Sequence, residues 1–86
     1  MTYEILFSES AFKQLKKLEK SLQKRIISSL ERLRFRPEAH LKKLVGDNGY
    51  RLRVGDYRVI VDIEEKKLLV LVIKIGHRKN IYKNSL

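Results

Sequence analysis

The stretch YRLRVGDYRVIVDI, residues 50–63, decides the fold. Residue type alternates on both sides of Gly55-Asp56, and a glycine at the first central position suits a two-residue type II′ turn between antiparallel strands. Such a turn fixes the register. Val54 then lies opposite Tyr57, Leu52 opposite Val59 and Tyr50 opposite Val61, and with Ile63 these residues make one apolar face. The other face carries Arg51, Arg53, Arg58, Ile60 and Asp62. Arg53 and Arg58 come out directly opposite each other, a like-charge pair that weakens a hairpin unless an anion sits over it. A fold alone has no use for that pair, whereas a polyanion-binding surface does.

Downstream, Glu64-Glu65-Lys66-Lys67 turns the chain into a last strand, Leu68 to Ile75. A four-residue loop would put Lys74 on the core side, and a loop one residue longer or shorter would put Leu69, Leu71, Ile73 and Ile75 there instead. An unpaired buried lysine is costly, so the second arrangement is expected, with Lys74 beside Arg58. If the chain stays extended past Gly76, Arg78 follows on the same side. The expected cluster is Arg51, Arg53, Arg58, Lys74 and Arg78 on one sheet face, with helices covering the other. Upstream, Leu41 to Val45 reads as a short edge strand joined to Tyr50 by the turn Gly46-Asp47-Asn48-Gly49. That loop lacks the glycine spacing and the following helix of a phosphate cradle.

In the N-terminal half, Tyr3, Ile5 and Phe7 alternate with Thr2, Glu4 and Leu6 as in a strand with one apolar face. Ser8 can cap a helix whose positive end favours Glu9, with a stripe of Ala11, Phe12, Leu15 and Leu18. A second stripe runs through Leu22, Ile26, Ile27, Leu30 and Leu33, with Ser21 as its cap. Two antiparallel helices bury these stripes more economically than one long helix. Arg36-Pro37 should end the helical region, because the residue before proline avoids the helical conformation. The expected fold class is α+β: an N-terminal strand, a helical hairpin, then an antiparallel β-sheet packed against the helices. Residues 1–86 are expected to form one domain, since a chain of this length can bury a core without disulfides or metal.

The chain has no cysteine, which excludes disulfides and thiol catalysis and fits a cytoplasmic setting. No apolar stretch approaches the roughly 18 residues of a membrane helix, so no membrane partner is expected. The formal net charge of +10 predicts attraction to polyanions. Lysines are spread over the helices, while arginines concentrate between Arg51 and Arg58 and at Arg78, where a planar, multi-donor cation suits phosphate. No HExxH, P-loop or GxSxG pattern occurs, and His40 and His77 lack ligand spacing. No metal or other cofactor is expected, because the acidic residues are not gathered beside the basic face. Fixed cations could still stabilise a pentavalent phosphorane, and RNA supplies its own nucleophile in the 2′-hydroxyl.

Tyr50 to Ile60, followed by Ile75-Gly76-His77-Arg78 and Tyr82, resembles the C-terminal signature of RelE-type toxins of the RelE/ParE superfamily. Tyr3 to Phe7 and Lys13 to Leu18 are similar to its N-terminal half, so the resemblance covers nearly the whole chain. It implies a ribosome-dependent endoribonuclease that cuts mRNA in the A site, partnered by an acidic RelB-like antitoxin. Carried over, Arg51 and Arg53 fall where such toxins have lysines, with Arg53 at the position assigned to proton removal from the 2′-hydroxyl. Arg58 matches the transition-state arginine, Arg78 a residue implicated in leaving-group protonation, and Tyr82 a tyrosine that stacks on or orients the nucleotide. Arginine stays charged under nearly all conditions, so charge stabilisation is the role Arg53 can fill. The spacing from Arg78 to Tyr82 is shorter here than in those toxins. Lys74, His77 and Lys79 are read as RNA contacts around this face, His77 as structural or peripheral, and His40 as a surface loop residue. For Lys13 and Lys17 on the helices, docking onto ribosomal RNA and a merely solvated face fit equally. ParE-type relatives, which inhibit DNA gyrase by binding, and an RNA-binding protein without a catalytic step are the alternatives.

Overall fold

The structure is a computed structural model, which describes residues 2–43 and 49–81. The chain runs β1 (Glu4–Phe7), α1 (Glu9–Lys16), α2 (Lys20–Arg32), α3 (Pro37–His40), β2 (Lys42–Lys43), β3 (Tyr50–Val54), β4 (Tyr57–Glu64), β5 (Leu69–His77) and α4 (Arg78–Ile81). The strands form one sheet in the order β1-β5-β4-β3-β2. Its pairs are antiparallel except β1 with β5, which is parallel because the two helices carry the chain across one face. This is the α+β architecture expected from the sequence. Among the described residues no helix is long and apolar enough to cross a membrane.

The β3–β4 hairpin has the expected register, including Arg53 opposite Arg58. Gly55 has φ 59° and Asp56 is not in the left-handed region, the combination a type II′ turn requires. Ala11, Leu15, Ile26, Leu30 and Leu33 bury against Leu52, Val54, Val59, Val61, Val70, Val72 and Ile75 of the sheet. Tyr50 and Tyr57 pack at the edge of this core, on the expected face. Phe12 and Ile27 belong to the helical stripes but stay 51% and 44% exposed. Phe12 instead meets Phe7 edge-on, ring centroids 6.4 Å apart.

The last strand departs from expectation. The turn Glu65 to Leu68 has four residues, with Leu68 in the left-handed region at φ 53°, so Val70 and Val72 face the core rather than Leu69, Leu71 and Ile73. The register then shifts: Val61 pairs with Val72, but Ile60 pairs with Lys74. Ile73 is the extra residue of a β-bulge and is 44% exposed. Beyond it the parity reverses, which brings Ile75 into the core and Lys74 onto the opposite face, both as expected. The bulge removes the conflict between a four-residue loop and a buried lysine.

Side chains of α1 complete the bulge. Ser8 caps the helix, its Oγ accepting from the Ala11 N–H at 3.0 Å, and its hydroxyl donates to the Ile73 carbonyl at 3.0 Å. Gln14 Oε1 accepts from the Ile75 N–H at 2.7 Å. Two backbone groups beside the disrupted ladder are therefore satisfied from the helix layer.

Two helix boundaries also differ. α2 begins at Lys20, so Ser21 lies inside the helix, and Glu19 at the N-cap makes no side-chain bond. The α1–α2 junction is held instead by Gln23, whose Nε2 donates to the Leu18 carbonyl at 2.7 Å. Pro37 starts a helix rather than ending one. It occupies the first turn of α3, where its missing N–H costs nothing, and Arg36 before it is non-helical at φ -148° and ψ 78°. The edge strand is described only at Lys42–Lys43, and the expected turn at residues 46–48 lies outside the described residues.

Candidate functional site

The uncovered sheet face is built from two cross-strand rows. Lys42 pairs with Arg51, Arg51 with Ile60 and Ile60 with Lys74, so these four residues share one face across four strands. In the next row Arg53 pairs with Arg58 and Arg58 with Gly76, which has no side chain to set over the guanidinium. Ile60 is 3% exposed although it lies outside the helix-covered core. The aliphatic stems of its neighbours, Arg51 and Lys74, can cover it.

Arg58 is the buried cation of this face, 8% exposed. Its Nη1 donates to the carbonyls of Gly55 and Tyr57 at 3.2 and 3.1 Å. A guanidinium has five N–H donors, so these bonds fix its plane through one nitrogen and leave the other two nitrogens to an anion. The turn that sets the register thus also positions Arg58. Arg53, opposite, is exposed and makes no ion pair among the described residues.

His40, Lys42, Arg51, Arg53 and Arg58 line one cavity of about 300 Å³. Four of the five are cations, and among the described residues no carboxylate lines it. Lys42 and His40 were not singled out as site residues from the sequence. Lys42 was legible: Leu41 packs on the core, so its neighbour in an edge strand faces the other way. His40 was not, because its position depends on Pro37 starting a helix that turns it toward the strands.

The other expected residues lie apart from this cavity. Lys74 shares the face one strand further along. Arg78 does not continue the strand; it opens α4, its side chain is exposed, and its backbone N–H donates to the Asp56 carbonyl at 2.8 Å. Lys79 follows it, also exposed. His77 pairs with Tyr57 and so lies on the helix-covered side, its ring meeting Tyr57 edge-on at 5.4 Å. Its Nδ1 accepts from the Lys79 N–H at 3.2 Å, a capping contact, and His77 is not among the residues that line the basic cavity. Lys13 and Lys17 belong to the helix layer, and Lys13 pairs with Glu9 at 3.2 Å on an exposed surface. Tyr82 lies outside the described residues. No three His, Asp or Glu side chains gather as a metal would require, among the described residues.

The chain and its fold have counterparts among known proteins. Residues 5–82 match the family model described as ParE toxin of type II toxin-antitoxin system, parDE. An Escherichia coli protein described as a RelE-like toxin is 27% identical over 82 residues, covering 92% of this chain and 86% of its own. The toxin in the intact E. coli RelBE toxin-antitoxin complex is 30% identical, with a TM-score of 0.75 over 87% of this chain and 95% of its own. The archaeal RelE–RelB complex of Pyrococcus horikoshii contains a chain 28% identical, with a TM-score of 0.77 over 93% and 99%. In the RelBE2 complex of Mycobacterium tuberculosis the fold is shared at a TM-score of 0.83 and 22% identity, over 91% of this chain and all of that one. The chain belongs to the ParE toxin family of the RelE/ParE superfamily and is a toxin of the RelBE type.

Proposed function

We propose that the protein is a ribosome-dependent endoribonuclease that cleaves mRNA in the A site without a metal. The observation that carries this reading is the single cleft in which Lys42, Arg51, Arg53 and Arg58 converge without a carboxylate among the described residues. In that cleft the 2′-oxygen of one nucleotide attacks its own 3′-phosphorus. The P–O5′ bond breaks, the 2′-hydroxyl loses its proton, and the departing 5′-oxygen gains one. The products are a 2′,3′-cyclic phosphate and a 5′-hydroxyl.

Arg58 is suited to the added charge of the phosphorane, because the Gly55 and Tyr57 carbonyls already hold its plane. Arg51, Arg53 and Lys42 supply further charge around the same phosphate. Arg78 and Tyr82 retain the leaving-group and nucleotide-orienting roles that the resemblance implies. Lys74 and Lys79 then contact flanking backbone, and Lys13 and Lys17 contact ribosomal RNA. The partner is an acidic RelB-like antitoxin, as the RelB complexes of the relatives and the charge of +10 suggest.

The test is to add the protein to a translating extract and map mRNA ends. New ends bearing 2′,3′-cyclic phosphate, positioned at the A site, are expected. The ParE description of the matching family model favours a second reading, inhibition of DNA gyrase by binding. Intact mRNA together with blocked supercoiling would replace the first reading with the second.

A further inference from the structure

A second cavity adjoins the basic cleft and differs from it in kind. Glu31, Arg32, Phe35, Arg36 and His40 line about 460 Å³ whose surface is mostly apolar. Phe35 is the aromatic residue of that lining and is 66% exposed, although it sits only three residues past α2. An aromatic ring left this open contributes little to the core. Arg32 and Arg36 stand at its rim and make no ion pair among the described residues, whereas Glu31 is held by Arg34 at 3.2 Å.

His40 belongs to both cavities: one wall of the apolar cavity is also a wall of the cleft lined by Lys42, Arg51, Arg53 and Arg58. A ligand occupying both must present an apolar plane joined directly to an anion. A nucleotide is such a ligand, since its base has a π-face for a phenyl ring and its phosphate suits the arginines. The guanidinium planes of Arg32 and Arg36 can flank a base in the same way.

We infer that the Phe35 cavity is a nucleobase subsite, holding the base of a nucleotide whose phosphate lies in the adjoining basic cleft. The inference rests on the proposed RNA substrate and extends it, because it makes base stacking, beside charge, a source of position along the strand. Charge attraction to phosphates is the same for every sequence and lets a protein slide along a strand. A base held against Phe35, with His40 between, fixes which phosphate meets Arg58.

The test uses a short single-stranded oligoribonucleotide with 2′-O-methyl sugars throughout and one 2-aminopurine. Such a probe cannot be cut, so its result is independent of whether the protein cleaves mRNA. Wild-type protein should quench the 2-aminopurine on binding. Phe35→Ala should abolish the quench and weaken binding roughly 5- to 150-fold, the equivalent of about 1–3 kcal/mol at 1.4 kcal/mol per tenfold, with Phe35→Trp restoring both. Lys42→Ala should weaken binding and its salt dependence while leaving the quench of the bound complex intact. Phe35 is too exposed for its loss to unfold the chain, and an unchanged melting temperature would confirm that. Equal quenching by wild type and Phe35→Ala would overturn the inference, as would binding without quenching. So would a Phe35→Ala variant that binds RNA normally but loses affinity for the antitoxin, which would assign the cavity to a protein side chain.

Discussion

The hairpin of β3 and β4 and the strand β5 lie side by side in one sheet, yet their sequences specify structure in different ways. In the hairpin, apolar and charged residues alternate except at Ile60, so a slip of one residue would bury Arg51 and Arg53 and expose Leu52 and Val54. In β5 the run Leu69 to Ile73 is aliphatic throughout, and either face would serve as core. What chooses is remote: the four-residue turn ending at Leu68, the bulge at Ile73, and two α1 side chains that satisfy the bulge. A pattern specifies the first strand pair; tertiary contacts specify the second.

The sharpest way to break this comparison is to place a carboxylate on each face of β5. Val72 is fully buried, so Val72→Asp should cost several kcal/mol of a total stability of about 5–15 and leave the protein largely unfolded. Ile73→Asp, one residue along but on the bulge, should remain folded within about 1 kcal/mol. Urea denaturation of the two variants measures the difference. Similar losses would mean that Ile73 is not bulged outward.

The limits of the sequence follow from the same contrast. The hairpin, the apolar face, the α1 stripe and the opposed Arg53 and Arg58 were legible because they depend on period and on one glycine. The α1–α2 hairpin was legible too, although Ser21 misplaced the cap of its second helix by two residues, the N-cap being Glu19. The bulge was not, since Leu68 is a leucine in a left-handed conformation that usually advertises itself with glycine or asparagine. The site follows suit: Arg51, Arg53 and Arg58 come from the hairpin and gather as expected, whereas Arg78 was placed by extending β5 one residue too far and instead starts α4. His40 enters the cleft through Pro37, whose two opposite meanings, helix stop and helix start, no local pattern separates.

Removing the remote support of β5 should have the next largest effect. Gln14→Leu keeps similar bulk but leaves the Ile75 N–H without its acceptor, at a cost of about 1–3 kcal/mol. Ser8→Ala loses both the helix cap and the Ile73 contact and should cost about 1–2 kcal/mol. Gln14→Glu retains an acceptor and should recover most of the loss. For a chain of this size each kcal/mol lowers the melting temperature by about 4–8 °C, well within calorimetric reach.

The hairpin is most open to attack at its turn. Gly55→Ala places a Cβ at φ 59° and 3.2 Å from the Arg25 guanidinium, and the conformational part alone is about 1–2 kcal/mol. Adding Arg25→Ala should return the steric part but not the conformational part. The Arg58 side chain bonds to the Gly55 carbonyl, so any function of the cleft should suffer beyond the loss in stability. Full recovery in the double variant would show that the left-handed geometry at Gly55 carries no strain.

The smallest effect has the opposite sign and bears on why the hairpin carries its charges at all. Arg53 and Arg58 face each other across β3 and β4, and Arg58 is buried while Arg53 is exposed. Removing one charge should therefore help the fold. Arg53→Gln keeps a polar side chain with an aliphatic stem, and should stabilise the protein by about 0.2–1 kcal/mol at low ionic strength. The gain should shrink as salt approaches about 0.15 M, where the Debye length falls to about 8 Å. A bound polyanion should reverse the order, because it stabilises the state it binds and binds the wild type better. Melting temperatures at two salt concentrations, with and without an uncleavable oligoribonucleotide, give all four comparisons. If Arg53→Gln destabilises the free protein, the pair is not repulsive in the fold. If it stabilises the free protein but RNA raises both melting temperatures equally, the pair has a cost to folding that RNA binding does not offset, and the case for the cleft as a phosphate site fails with it.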